Sequence, residues 1–134
     1  MEISRVEYLG GLRTKATHIK SGQVIITDAP VDNHGKGEAF SPTDLMSTSL
    51  ASCMLTLMGI ASNTHSINID ETLCSVQKIM ASNPRRVEKI AVTVNFPKNN
   101  YSDKEKKILE LAAKTCPVGL SLSEKAEIEM NFVY

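Results

Sequence analysis

The order of local patterns along this chain predicts a mixed fold in which long antiparallel strands accompany two main helices. Three observations carry that reading. Ser41-Pro42-Thr43-Asp44 has the form of a helix start, with a capping serine, a proline at the first helical position and negative charge in the first turn. Ile90, Val92, Val94 and Phe96 alternate with Ala91, Thr93 and Asn95, the period of two of a strand. The end of the chain repeats that period, with Ala126, Ile128, Met130, Phe132 and Tyr134 set against Lys125, Glu127 and Glu129. With 134 residues and no composition break, one domain spanning 1–134 is expected.

Taken in order, residues 13–20 and 23–28 flank Ser21-Gly22, whose glycine suits a tight hairpin turn. Residues 29–40, with Pro30, Gly35 and Gly37, read as a loop. The helix that follows should run over 42–62. It is apolar or small around most of its circumference, which predicts burial on nearly all sides and a central place in the fold. Residues 67–81 and 87–96 read as antiparallel strands joined at Asn83-Pro84-Arg85-Arg86. Ser102 should cap a second helix running to about Thr115, with Ile108, Leu111 and Ala112 on its apolar side. Pro117 should end that helix and open a short third one, with Cys116 as its N-cap.

Charge removes several functional classes. Lys and Arg number 15 and so do Asp and Glu, so no basic footprint for nucleic acid or an anionic membrane is present. Ser47, Thr48, Ser49, Ser52 and Thr56 interrupt the apolar surface of the long helix, which argues against a membrane span. The residues after Met1 lack the apolar core of a signal peptide, and a cytoplasmic location is expected. There the three cysteines rest as thiols.

Two of those cysteines have unlike settings. Cys53 lies midway along the long helix, whereas Cys116 stands where one helix stops and another starts. A sulfenic acid on one thiol condenses with a second thiol that can reach it, so the two form a candidate nucleophile and resolving partner. The plainer reading of both is as small apolar fillers. A Cys116 thiolate at a helix start would face unpaired amides and the positive end of a dipole, both of which lower a thiol pKa. Cys74, within a strand, reads as structural. The cysteines and His18, His34 and His65 show no zinc-finger spacing, and His65 would lie about 18 Å from Cys53 along a continuous helix, too far to act as its base.

The order of elements, with Ser41-Pro42-Thr43-Asp44-Leu45 leading to Cys53 and a later Cys116-Pro117-Val118, resembles the OsmC/Ohr superfamily of thiol-dependent peroxidases. The segment from Val31 through Phe40 is most similar to the OsmC-like branch. The resemblance implies an α+β fold, an antiparallel sheet packed on two main helices, and an intertwined homodimer. It implies Cys53 as the peroxidatic thiol and Cys116 as its resolving partner, acting on an organic hydroperoxide or hydrogen peroxide with no metal or flavin. An external dithiol, lipoyl-linked in the Ohr branch, would be the reductant. Arg13, in Leu9-Gly10-Gly11-Leu12-Arg13, resembles the family arginine that stabilises the thiolate. The glutamate that steadies it in Ohr-like members is replaced here by Thr43, with Asp44 next along, so these two are the candidate substrate-side residues. The second reading is a non-enzymatic dimer whose pocket binds a small apolar ligand or senses oxidants.

Overall fold

The computed structural model describes residues 1–134 as two compact units, Met1–Met46 and Ser47–Tyr134. The first is an antiparallel meander of β1 (Ser4–Gly10), β2 (Arg13–His18) and β3 (Val24–Asp28). Strand β1 is not among the expected elements, and its side chains are almost all exposed. Gly10 and Gly11 adopt positive φ of 83° and 61°, the left-handed region that only glycine enters freely, and their turn delivers Arg13 to the head of β2. The β2–β3 connection is longer than the tight turn expected at Ser21-Gly22. His18 N–H donates to Gln23 O at 2.9 Å, so Ile19 through Gly22 form the loop and Arg13 pairs with Asp28.

Residues 29–40 are the expected loop, with a 3-10 turn at Val31–Asn33. The loop folds back on itself closely enough that a Cβ on Gly35 would lie 1.7 Å from the Ala29 carbonyl oxygen, which reserves that place for glycine. Helix α1 (Pro42–His65) then opens on a reciprocal cap. Asp44 N–H donates to Ser41 Oγ at 3.1 Å, and Ser41 N–H donates to Asp44 Oδ2 at 2.9 Å.

The second unit holds most of α1 and a sheet of β4 (Leu73–Ala81), β5 (Arg86–Asn95) and β6 (Glu127–Val133). Strand β4 begins later than expected, because residues 67–72 turn: Thr72 N–H donates to Ile69 O at 3.1 Å and Glu71 has a φ of 70°. β4 and β5 are antiparallel as expected, but β6 runs parallel to β5. A parallel return needs a crossover. It is made by α2 (Asp103–Lys114) and α3 (Pro117–Ser121).

The core has the predicted strand face, with Ile90, Val92 and Val94 wholly buried and Phe96 nearly so. Phe96 stacks on Tyr134 at 4.6 Å between ring centroids, and Tyr101 meets both rings edge-on. Helix α1 departs from its reading. Within the chain it buries one stripe, Ser47, Leu50, Ala51, Met54, Met58 and Ser62, rather than nearly every side. It is long and apolar enough to cross a membrane by length and composition, yet Leu50, Met54 and Met58 are fully buried, as in the core helix of a folded unit. Helix α2 has the expected cap, a full capping box between Ser102 and Glu105. Its buried stripe is Leu109 and Ala113, whereas Leu111 stays 54% exposed.

This rotation of α2 has a measurable consequence. Leu109→Ala should destabilise the protein by about 2–5 kcal/mol through the cavity it leaves, and Leu111→Ala by less than about 0.5 kcal/mol. Urea titrations of the two variants against the parent check the difference, and equal losses would place Leu111 in the core after all.

Candidate functional site

Within the second unit, the end of α2 positions one thiol. Pro117 has no N–H and cannot extend the helix, so the chain breaks after Thr115 and Cys116 becomes the N-cap of α3, as expected. Gly119 N–H donates to Cys116 Sγ at 3.4 Å, and the Sγ lies 3.9 Å from Leu50 O of α1, to which it donates. Cys116 is 1% exposed. Cys53 follows Leu50 by three residues, about one helical turn, and therefore presents its side chain on the same flank of α1. It is half-buried and close enough to influence the Cys116 thiol electrostatically. All three cysteines are free thiols.

Electrostatics at Cys116 run opposite to the expectation. Burial pushes its thiol up, the neighbouring Cys53 thiol adds to this, and the amides of Gly119 and Val118 only partly oppose it. A helix of five residues offers little dipole, and its few amides cannot offset the loss of water. Cys116 therefore rests as a protonated thiol at neutral pH. Beside it opens a cavity of about 370 Å³ lined by Leu120, Ile128, Met130, Ala113 and Cys116, with Lys114 also in its wall. Cys74 sits in β4 opposite Val94, half-buried, with burial raising its thiol. Its setting is a packing one.

The first unit holds the other candidate residues. The β2–β3 register places Arg13 across from Asp28, and the guanidinium makes a two-point bond to the carboxylate, Nε to Oδ1 at 2.7 Å and Nη2 to Oδ2 at 2.9 Å. Nη2 also donates to Glu38 at 3.1 Å. Asp28 is 1% exposed, and the Arg13 hydrogen bond, against the opposing effect of burial, holds its carboxyl below the usual range. Arg13 is pushed up in turn by the same bond. Thr43 and Asp44 gather around the helix start, where Thr43 Oγ1 lies 3.3 Å from Ser41 Oγ and Asp44 completes the cap.

The structure thus joins Cys53 with Cys116 in one unit. In the other it joins Arg13 with two acids that sequence reading did not single out, Asp28 and Glu38. A tight turn at Ser21-Gly22 would have set Lys20 against Gln23 and Arg13 against Pro30. Only the longer loop brings Asp28 into register, so the usable signal was an acid at the end of one strand and an arginine at the start of its hairpin partner.

The exposures predict an order of reactivity. Iodoacetamide at neutral pH should label Cys53 well before Cys116, and Cys116 labelling should rise only as pH passes above 9.0, the ordinary thiol value from which it is raised. Peptide mass spectrometry reads both sites. Faster labelling of Cys116 at neutral pH would contradict the buried, protonated thiol.

Comparison with known proteins places the fold in a family. Residues 35–131 match the family described as OsmC-like protein. A crystal structure from Psychrobacter arcticus 273-4, provisionally named an osmotic stress induced and detoxification response protein, is 48% identical, with a TM-score of 0.94 over 98% of this chain and 96% of that one. The fold also matches an OsmC like protein from Mycoplasma pneumoniae at 20% identity and a TM-score of 0.79, over 98% of this chain and 96% of that one. An organic hydroperoxide resistance protein OsmC from Legionella pneumophila is 12% identical, with a TM-score of 0.78 over 100% of this chain and 98% of that one. No curated protein matches the sequence. A matched region covering most of the chain, on the same fold and around a paired-thiol helix junction, establishes that the chain belongs to the OsmC-like protein family.

Proposed function

We propose that the protein is a thiol-dependent peroxidase that reduces organic hydroperoxides or hydrogen peroxide. The observation that carries this reading is the nearness of two thiols in one unit, Cys53 half-exposed and Cys116 buried and electrostatically influenced by it, beside a largely apolar cavity. The Cys53 thiolate attacks one peroxide oxygen, the O–O bond breaks, and the leaving alkoxide takes a proton to become an alcohol, leaving a sulfenic acid on Cys53. Cys116 then attacks that sulfur, expelling water and closing a disulfide. An external dithiol, of the lipoyl type or another, reopens it and is itself oxidised. Sulfur carries both electrons, so the cycle calls on no metal or flavin. The raised Cys116 thiol suits the second role, since a resolving group must stay protonated and unreactive until Cys53 has been oxidised.

A homodimer forms part of the proposal. Helix α1 leaves Ile60 57% exposed, and the first sheet leaves Val6 66%, Tyr8 65% and Ile25 49% exposed, with Val6, Ala16 and Ile25 adjacent across its strands. Apolar surface of this kind calls for a cover that a second copy would supply. The named relative from Legionella pneumophila, an organic hydroperoxide resistance protein, adds weight to the choice of substrate.

A second reading rests on the cavity itself. Its walls are largely apolar and Arg13 is already occupied by two carboxylates, which suits a non-enzymatic dimer that holds a small apolar ligand or senses oxidants. Turnover separates the two. With an organic hydroperoxide and a dithiol, the parent should cycle repeatedly, and Cys53→Ser should lose at least about a hundredfold in rate. Cys116→Ser should consume about one equivalent per site and stall. Cys74→Ser should match the parent. Unchanged consumption by Cys53→Ser, or no Cys53 to Cys116 disulfide in the peroxide-treated parent, would leave the binding reading in its place.

A further inference from the structure

The cavity beside Cys116 draws its walls from α2, from α3 and its cap, and from β6, all of them in the second unit. Those walls are apolar apart from one charge. Lys114, in the last turn of α2, is exposed and is the single ionisable side chain of the lining besides the Cys116 thiol. A lysine at a helix end commonly does no more than face water and the carbonyls of the last turn.

Two observations set this one apart. Glu110, one turn earlier, is the natural acid for an i,i+4 pair, but its carboxylate accepts from the Tyr134 hydroxyl at 3.0 Å, and the Lys114 ammonium is left without an ion pair. The apolar surface around it is also uncovered. Leu120, in the cavity wall, is 75% exposed. Leu111, 54% exposed, lines with Lys114 a groove on α2 that adjoins the cavity through the shared lysine.

An unpaired ammonium beside uncovered apolar surface complements one kind of ligand, an apolar body that ends in an anion. A neutral ligand would cover the leucines and gain nothing from the charge, while a cationic one would be repelled. Size narrows the class further. About 370 Å³ is near the small end of the roughly 300–1,000 Å³ spanned by ligand cavities, so the body is a short chain or a single ring.

We propose that this cavity takes a small amphipathic anion, a carboxylate on a short apolar body, and that Lys114 is the residue that selects it. The proposal rests on the reading of this cavity as the place where a ligand meets the thiols; for a peroxidase, the favoured substrates are then short organic hydroperoxides that carry a carboxylate. The anionic end pairs with the ammonium of Lys114, and the body lies on Leu120, Ile128 and Met130 beside Cys116.

Isothermal titration calorimetry of the reduced, full-length protein with octanoate, 1-octanol and octylamine tests it. Octanoate should bind about fivefold more tightly than octanol, the upper end for a solvent-facing charge pair, with octylamine weakest, and added salt should shrink the preference. Lys114→Gln should bring octanoate and octanol level, whereas Lys114→Arg should keep them apart. Leu120→Ser, at an exposed position, should weaken both together. Octanoate binding no tighter than octanol's, a preference that survives in Lys114→Gln, an unchanged affinity in Leu120→Ser, or no binding of any of the three overturns the proposal. Cumene hydroperoxide, which carries no charge, reports on the peroxidase reading separately: a parent that selects octanoate but leaves this peroxide intact keeps the ligand class and loses the enzyme.

Discussion

A helix that meets a proline must stop, and in this protein the stop at Thr115-Cys116-Pro117 is the constraint on which the thiol chemistry depends. Because α2 cannot continue, the chain turns inward at Cys116 and buries its sulfur against the carbonyl of Leu50. Leu109 and Ala113 anchor α2 from below, and Leu50 is itself fully buried, so the junction is held from both sides by packing. Gly119 keeps the approach open, since even a Cβ there would come within 3.4 Å of the Leu50 side chain. Cys53 then needs only the helical repeat of α1 to reach the same place.

The chemistry that follows from this junction is set by burial more than by charge. Cys116 has the helix-start position that usually activates a thiol, yet removal from water and the neighbouring sulfur outweigh two backbone amides. The position therefore orients the sulfur without ionising it. In the first unit, Arg13 is locked by a buried acid and touched by an exposed one. The cost of burying Asp28 is offset by the two-point bond and by the Glu38 amide.

Much of this was legible in the residues. The starts of α1 and α2, the break before α3, the buried face of β5 and the half-buried last strand all follow from signals that act within a few residues: caps, proline and the alternation of side chains. The apolar face of α2 was misplaced because Ile108, Leu109, Leu111 and Ala112 are all suited to burial, and only the partner surface decides which of them turns inward. The late start of β4 was hidden by Ile67 and Ile69, apolar residues in a turn that reads like strand.

By itself, the sequence determined the local elements and marked two cysteines and an arginine as the residues able to carry chemistry. Tertiary structure alone decided which groups meet. The bond from Cys116 to Leu50 joins residues 66 positions apart, the pairing of Arg13 with Asp28 hangs on the length of one loop, and β6 became parallel only through its crossover. Each of these rests on long-range packing and strand register, which a local pattern cannot encode, because a shift of two residues in a hairpin changes every cross-strand partner while leaving each strand's own alternation intact.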